Sequence, residues 1–245
     1  MAKGNLEKIA EKYISLHNDW ERVRSIVKSE ELSLVLSKRF KDISVMEIGL
    51  GDGIFTRLLA NNFSKVIAVD AALGSIRFTQ DRLKKYKNIE YVNSYIEDLK
   101  TNIKEKVDNI VMSHILEHVE NPVKALKSVK ECMHKNTILF ISVPNALSLH
   151  RQVAVSMGLL KKEDQLIQSD LDLGHQRVYT QKSFHRDIKK AGFIIRQSGG
   201  ILLKPFSNSQ MEIFCTSDML KGFLSVGRRY PELCGEIYAI IKKEK

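Results

Sequence analysis

The stretch Val45-Met46-Glu47-Ile48-Gly49-Leu50-Gly51-Asp52-Gly53 decides the fold. A short apolar run ends in an acid, and three alternate glycines follow before a helical pattern over residues 54–61. Glycine lets the backbone turn sharply and approach a ligand closely, because no Cβ is in the way. A helix that begins at such a turn directs its free N–H groups toward whatever the turn holds. The stretch therefore predicts a strand, a nucleotide-cradling turn and a helix.

The spacing of the glycines separates two kinds of cofactor site. The dinucleotide fingerprint G-x-G-x-x-G would require a third glycine at position 54, where the chain has Ile54. The pattern is instead E-x-G-x-G-x-G, from Glu47 to Gly53. A second apolar strand, predicted over residues 66–69, ends in Asp70. An acid at the end of this strand is well placed to accept hydrogen bonds from both hydroxyls of a ribose.

Through these motifs, residues 45–143 resemble the class I S-adenosylmethionine-dependent methyltransferase family. The resemblance implies a Rossmann-like, doubly wound α/β fold with a seven-stranded, mostly parallel sheet whose last strand is antiparallel. It also implies S-adenosyl-L-methionine as the cofactor and S-adenosyl-L-homocysteine as its product. The cofactor-binding residues expected from the matching positions are Glu47, Gly49, Gly51, Gly53, Asp70, Ala71, Ile96 and Ser113.

The position expected to read the adenine departs from the family pattern. Many members carry an acid where this chain has Tyr95, and that acid accepts from the adenine amino group. We expect the backbone at Ile96 to pair with the adenine edge, with Tyr95 or Glu97 as substitutes for the missing acid.

Length and composition indicate one α/β domain. The chain has 245 residues, of which 43% are hydrophobic and 28% are charged, as in ordinary globular proteins. We divide it into a helical extension or lid (1–42), a cofactor-binding half (43–143) and a substrate-side half (144–245). No apolar run approaches the roughly 18 residues that span a bilayer, and the N-terminus lacks a secretory pattern. Its three separated cysteines predict a reducing compartment and hence a cytoplasmic protein.

The net charge of +10 raises the question of nucleic-acid binding. The basic residues are mostly lysines scattered among acids, without a long basic block or a patch interleaved with aromatic residues. Lysine is also less suited than arginine to bidentate recognition of bases or phosphates. A basic surface serves an anionic small substrate equally well. We therefore expect a small-molecule acceptor, with an anionic one as a possibility, rather than a nucleic acid.

The first forty residues have a helical pattern, with apolar positions recurring every three or four residues over 5–40. Such a segment packs on the domain edge or covers the cofactor cleft. The spacing alone favours docking on the core, whereas the resemblance favours a lid. In the lid arrangement Tyr13, His17 and Trp20 are candidate ligand contacts.

The segment His114-Ile115-Leu116-Glu117-His118 matches H-x-x-E-H, an inverted zinc-protease motif. In a zinc protease both histidines lie one turn apart on a helix. Here His114 instead follows a predicted strand, and Asn121-Pro122 closes the segment. A run L-E-H-V-x-x-P at this place is common in a methyltransferase branch that includes ubiquinone-pathway and sugar enzymes. We therefore predict no metal site, and assign Glu117 and His118 to fixing the loop.

A long insertion over residues 145–178 carries most of the candidate catalytic groups. Connections of this length in a compact domain usually carry function. If the acceptor is a hydroxyl, a base must take its proton, and histidine is the commonest choice. His175 is the first candidate base, with His114 and His150 behind it, although His175 could equally bond only within its own loop. Arg151 and Arg177 are weaker candidates for clamping an anionic acceptor.

The remaining pattern predicts the outer part of the sheet. We expect a helix near residues 153–160, a helix capped by Thr180, a sixth strand over 193–196 that is broken at Gly199-Gly200, a helical region over 209–230 and a seventh strand over 236–241. A methyltransferase acting on a hydroxyl or amine of a small metabolite fits best, with a sugar or glycan precursor favoured by the branch resemblance. An RNA methyltransferase, a non-catalytic cofactor-binding partner protein and a nicotinamide-dependent oxidoreductase are the alternatives.

Overall fold

The computed structural model describes residues 6–15, 20–37 and 44–244. Its strands are β1 (Ser44–Ile48), β2 (Lys65–Asp70), β3 (Ile89–Asn93), β4 (Val107–Ser113), β5 (Met133–Pro144), β6 (Phe193–Leu203) and β7 (Cys234–Lys243). Its helices are α1 (Leu6–Ser15), α2 (Glu21–Leu36), α3 (Ile54–Asn62), α4 (Leu73–Arg82), α5 (Leu99–Asn102), α6 (Pro122–Glu131), α7 (Leu149–Ser156), α8 (Gln168–Asp172), α9 (Gln181–Lys190), α10 (Asn208–Phe214) and α11 (Ser217–Gly227).

All seven strands form one sheet in the order β3-β2-β1-β4-β5-β7-β6. Strands β1 to β5 pair in parallel, and β7 runs antiparallel to both β5 and β6. The strand order reverses between β1 and β4, and open α/β sheets bind ligands at the carboxyl ends of the strands at such a point. The predicted fold class is confirmed, including the antiparallel last strand.

Successive residues of each central strand enter opposite cores. Met46 and Leu139 pack on one face of the sheet, below α6 and α9, whereas Val45 and Phe140 pack on the other face, below α2, α3 and α11. This two-sided burial explains why the strands are almost continuously apolar. Burial on both faces also holds the ends of the strands in place, and the polar side chains of the site project from these ends.

The predicted break in the sixth strand is wrong, since β6 continues through Gly199 and Gly200. A Cβ at Gly199 would come within 2.8 Å of the Tyr238 ring, and one at Gly200 within 2.3 Å of the Pro231 carbonyl oxygen. The two glycines therefore permit close packing inside the strand rather than a turn. The fifth strand begins at Met133, directly after α6.

The helices differ from the predicted ones mainly at their ends. The predicted helix over 5–40 is two helices, α1 and α2, and parts of it, including His17 and residues 38–42, lie outside the described residues. The helix predicted near 153–160 is α7, which ends at Ser156 because Gly158 adopts a φ of +73°. The predicted cap at Thr180 is confirmed, since its side chain accepts from the Ser183 N–H. Across the described residues, no helix is long and apolar enough to cross a bilayer.

Candidate active site

The carboxyl ends of four parallel strands open into a cavity of about 940 Å³. Ile48 of β1, Val69 of β2, Ser113 of β4 and Pro144 of β5 all line it. Pockets for small ligands usually measure about 300–1,000 Å³. The cavity therefore offers room for a nucleoside-sized ligand with a second small molecule beside it.

The glycine turn presents bare backbone to this cavity. Gly49, Gly51 and Gly53 have φ values of +86°, +53° and +76°, which L-residues with side chains rarely adopt. A Cβ at Gly49 would collide with Ile115, at 2.1 Å, whereas a Cβ at Gly51 would meet no atom within 4 Å. Gly49 and Gly51 line the cavity, but Gly53 packs against Thr79 of α4 and does not. The open side of Gly51 fits a cofactor that lies directly on the backbone.

The Asp70 carboxylate is fixed at the end of β2. Its Oδ2 accepts from the Leu50 N–H at 2.8 Å, and its Oδ1 accepts from the Ala72 N–H at 2.8 Å. Burial raises the pKa of Asp70, and these two backbone donors oppose that shift. Each carboxylate oxygen can accept a further hydrogen bond. The group is thus oriented to receive two hydroxyls, and Ala71 beside it also lines the cavity.

Two further predicted residues, Glu47 and Ser113, lie at the ends of β1 and β4. Burial raises the pKa of Glu47 to about 8, so this carboxyl binds its proton far more tightly than an exposed one. The Ser113 hydroxyl lies 2.9 Å from Glu31 Oε1 of α2, 2.5 Å from Lys28 Nζ and 2.9 Å from Ser142 Oγ. Ser113 borders the cavity, but its hydroxyl is already engaged by α2.

The segment expected to hold the adenine forms a short 3-10 turn over Ile96–Asp98. Tyr95 precedes the turn, and its carbonyl accepts from the Asp98 N–H at 3.0 Å. Ile96 lines the cavity beside the carboxylates of Glu97 and Asp98. Two acids therefore border the place where the family acid is missing.

Helices α1 and α2 cover the cavity as well as packing on the fold. Tyr13 of α1 and Trp20, just before α2, both line it. The Glu7 carboxylate accepts from the Leu73 and Gly74 N–H groups at the start of α4, at 2.8 and 3.0 Å. On α2, Arg24 forms an ion pair of 2.9 Å with Asp52 of the glycine turn. The two helices therefore line the cavity, and α2 also packs on the core through Val23, Val27 and Val35.

His114 lies between two carboxylates. Its Nδ1 is 3.3 Å from Glu117 Oε1 and its Nε2 is 3.0 Å from Glu236 Oε2 of β7. Burial alone would lower the pKa of His114, but the two carboxylates outweigh it and raise the pKa to about 10. A ring that keeps its second proton at neutral pH is better suited to stabilising negative charge than to acting as a base.

His175 lies in the cavity wall. Its Nδ1 is 3.3 Å from Asp170 Oδ1, and its ring packs edge-on against His118 at a centroid distance of 4.7 Å. Burial lowers the pKa of His118 to about 4, so that ring is neutral at physiological pH. The Tyr13 hydroxyl reaches His118 Nε2 at 3.3 Å. A helix ahead of the first strand therefore contacts the histidine pair directly.

The two arginines considered as anion clamps hold the loops instead. Arg177 donates to the carbonyl oxygens of Leu116, Val119 and Glu120. Arg151 donates to the Glu163 and Gln165 carbonyl oxygens and lies 3.5 Å from Asp170. Both guanidinium groups are used inside the protein, so neither hypothesis of an anion clamp holds.

Glu117, His118 and His175, here called the Glu117 cluster, are all buried and offer ligand atoms within 4.8 Å of one another. A His₂-carboxylate set is able to hold zinc or iron. The H-x-x-E-H segment contributes only its last two residues to this cluster, because residues 114–118 form a turn rather than a helix. A role in proton transfer accounts for these three residues equally well. The Glu117 carboxylate does not need a metal ion as counter-charge, because it already has the His114 imidazolium.

Several groups in and around the site were missed from the sequence. Glu31 is fully buried and accepts from Ser142 at 2.6 Å, Glu236 pairs with His114, and Lys204 lines the cavity just after β6. Their positions depend on pairings between distant segments of the chain, which no local motif predicts. The sequence offered one signal for these groups, namely that Glu31 falls within the apolar stripe of α2.

Comparison with known proteins shows which sequence family this chain resembles. A sequence model described as a methyltransferase domain matches residues 20–198. A ubiquinone biosynthesis O-methyltransferase of Pelagibacter ubique is 31% identical over 109 residues, covering 44% of this chain and 45% of that protein. A probable ribosomal RNA small subunit methyltransferase A of Methanococcus aeolicus is 35% identical over 83 residues, covering 34% of this chain and 30% of that protein. The chain spans less than half the length of both relatives.

A solved structure agrees with the fold over nearly the whole chain. The N-methyltransferase NodS of Bradyrhizobium japonicum, in complex with S-adenosyl-L-homocysteine, superposes with a TM-score of 0.63 at 14% identity. The match covers 98% of this chain and 100% of that chain. At this identity the likeness supports the fold alone.

Proposed function

The chain belongs to the family of methyltransferase domains, and we infer from this membership that it transfers a methyl group from S-adenosyl-L-methionine to a small acceptor. S-adenosyl-L-homocysteine would be the second product. The observation that carries the inference is the bare glycine turn beside the oriented Asp70 carboxylate, both facing one cavity. In this proposal residues 43–143 hold the cofactor and residues 144–245 shape the acceptor side.

The cofactor-binding residues in this proposal are those whose groups face the cavity. Asp70 accepts the ribose hydroxyls, Gly49 and Gly51 lie against the cofactor, and Ala71 and the Ile96 backbone border the adenine. Glu47 supplies a buried carboxyl at the base of the turn. Gly53 sets the start of α3, and Ser113 borders the cavity while holding α2 in place. The cofactor supplies a methyl group on a good leaving group, so the protein mainly aligns donor and acceptor.

His175 is the proposed base for a hydroxyl or amine acceptor. Asp170 Oδ1 lies 3.3 Å from its Nδ1, so the carboxylate helps to orient the ring toward the acceptor. The same arrangement of a carboxylate behind a histidine recurs in enzymes that activate hydroxyls. His114, held as an imidazolium, contributes positive charge near the reacting atoms.

A small metabolite fits the cavity better than RNA does. Two of the cations that line it are already paired, Arg24 with Asp52 and Lys28 with Glu31. The covering helices α1 and α2 narrow the approach to the strand ends. A sugar or glycan precursor is the favoured acceptor class, by analogy with the branch that shares L-E-H-V-x-x-P. An RNA acceptor is the second candidate, because one relative is named a ribosomal RNA methyltransferase.

Calorimetric titration with S-adenosylmethionine, S-adenosylhomocysteine and NAD, followed by an acceptor screen, tests the proposal. We expect micromolar binding of the first two ligands, no binding of NAD, and methyl transfer to a small hydroxyl or amine compound. His175→Asn should lower kcat by about 10²–10⁴-fold, as for loss of a general base, with unchanged cofactor affinity. His134→Asn, at a partly exposed histidine paired with Asp108 and outside the cavity lining, is the matched control.

Three outcomes would oppose the proposal. Preference for NAD would remove the cofactor assignment. Tight cofactor binding without turnover on any acceptor pool would point to a non-catalytic partner protein. Activity confined to RNA, and lost steeply as salt rises, would replace the small acceptor with a nucleic acid.

A further inference from the structure

Among the cations of the cavity, Lys204 combines partial burial with the lack of an ion pair in the described part of the chain. Lys28 lies 2.8 Å from Glu31, and Arg24 lies 2.9 Å from Asp52. Across residues 6–15, 20–37 and 44–244, the Lys204 ammonium has neither a carboxylate within 4.0 Å nor a hydrogen-bond acceptor. Lys124 also lines the cavity without such a partner, but it is exposed to water. Lys204 is instead partly buried, so water screens its charge less than that of Lys124.

The position of Lys204 places it on the acceptor side. It is the first residue after β6, and its carbonyl accepts from the His150 N–H at the start of α7, at 3.2 Å. Its stem lies over β7, where a Cβ at Gly235 would come within 3.0 Å of the Lys204 Cδ. Lys204 therefore stands between the insertion and the last strand, away from the glycine turn.

Glu236, the carboxylate that acts most strongly on Lys204, already forms an ion pair with another residue. Burial lowers the pKa of Lys204 to about 8, and the pull of Glu236 in the other direction does not restore it. Glu236 is held by the His114 imidazolium at 3.0 Å. A partly buried ammonium without an ion-pair partner still loses part of its hydration, which is a cost to the folded protein. An anion from outside would remove that cost, and the cavity is the route by which it arrives.

We propose that Lys204 binds an acidic group of the acceptor, a carboxylate or a phosphate, so that the acceptor is an anion. The proposal rests on the proposed function, because it assigns this end of the cavity to the acceptor. His150 adds a neutral partner, since it lines the same cavity and its buried Nδ1 has no hydrogen bond in the described part of the chain. The positive charge of Lys204 favours an anionic ligand. The neutral imidazole of His150 adds no charge, so the net attraction for that anion comes from Lys204.

Matched acidic and neutral probes test the proposal. Benzoate against benzamide, and phenyl phosphate against phenol, are titrated calorimetrically into the protein with and without S-adenosylhomocysteine. We expect the acidic member of at least one pair to bind about 10- to 100-fold tighter than its neutral partner, as for a hydrogen bond to a charged group. The pair that shows the preference decides between carboxylate and phosphate.

Two variants assign the preference to one side chain. Lys204→Gln should abolish it, whereas Lys161→Gln, at an exposed lysine of the insertion, should keep it. Lys204→Gln should also melt at or above the temperature of the parent protein, because it removes an uncompensated charge. A melting temperature below the parent value would show that the protein itself compensates Lys204.

Equal binding of acid and neutral probes, or a preference that survives Lys204→Gln, would overturn the proposal. Failure of the proposed function gives a different result, since S-adenosylhomocysteine itself would then not bind. The probes still report on Lys204 in the protein without that ligand. The two failures are therefore distinguishable in one set of titrations.

Discussion

One added methyl group tests whether a ligand lies on the glycine turn. Gly51→Ala places a Cβ in the cavity, where no atom of the chain lies within 4 Å. Because the φ of Gly51 is +53°, the change forces an L-residue into a left-handed conformation, which costs about 1–2 kcal/mol of folding stability. The methyl group also takes space that a bound cofactor needs, and overpacking of this kind costs about 1–3 kcal/mol. We expect the affinity for S-adenosylhomocysteine to fall by about 5- to 140-fold.

Gly158→Ala separates the two effects. Gly158 has a φ of +73° and open space around an added Cβ, but it lies in the insertion and does not line the cavity. Both variants should lose similar free energy of unfolding in urea, and only Gly51→Ala should lose affinity in calorimetric titration. Equal affinity in the two variants would refute the reasoning, because the cofactor would then not lie against the turn.

Asp70→Ala should lower the affinity for S-adenosylmethionine by about 100-fold or more, since hydrogen bonds to a charged group contribute about 1.5–3 kcal/mol each; Asp108→Ala, near the amino-terminal end of β4 and outside the cavity lining, is the calorimetric control. The free energy of unfolding should fall as the pH rises from about 6.5 to about 10, because the pKa of His114 is raised from 6.5 to about 10 and folding favours the charged ring. In urea titrations His114→Gln should flatten this dependence, and an unchanged slope would assign it to another group. Dialysis against EDTA should leave methyl transfer intact, because Glu117 already has a counter-charge; activity that is lost and then restored by zinc would make the Glu117 cluster a metal site.

The sequence predicted those features that depend on local chemistry. The glycine turn needs residues without a Cβ at three positions, and this need is visible in the letters themselves. The apolar strands were equally clear, because burial on both faces removes polar residues from them. The cap at Thr180 depends on residues three positions apart, so it too could be found locally.

Features that depend on distant partners escaped prediction. Gly199 and Gly200 resemble a strand break, yet their role is set by Tyr238 and Pro231 on the neighbouring chain segment. An arginine in a loop suggests an anion clamp, but Arg177 meets the carbonyl oxygens of a loop nearly sixty residues away. The presence of Lys204 and Glu236 in the site could not be predicted, because it depends on the antiparallel pairing of β6 with β7.

Helix α1 touches both ends of the cavity through few contacts. Glu7 caps α4 beside the cofactor end, whereas Lys12 lies 3.5 Å from Asp172 and Tyr13 reaches His118 at the acceptor end. In the proposed function, we expect products to leave more easily when these contacts of α1 open. Exit of this kind often limits turnover in enzymes with a closing element. Loosening α1 would therefore shorten the residence time of the product, but it would also admit water to the reacting groups. The ten residues of α1 thus affect both the speed of turnover and the protection of these groups from water.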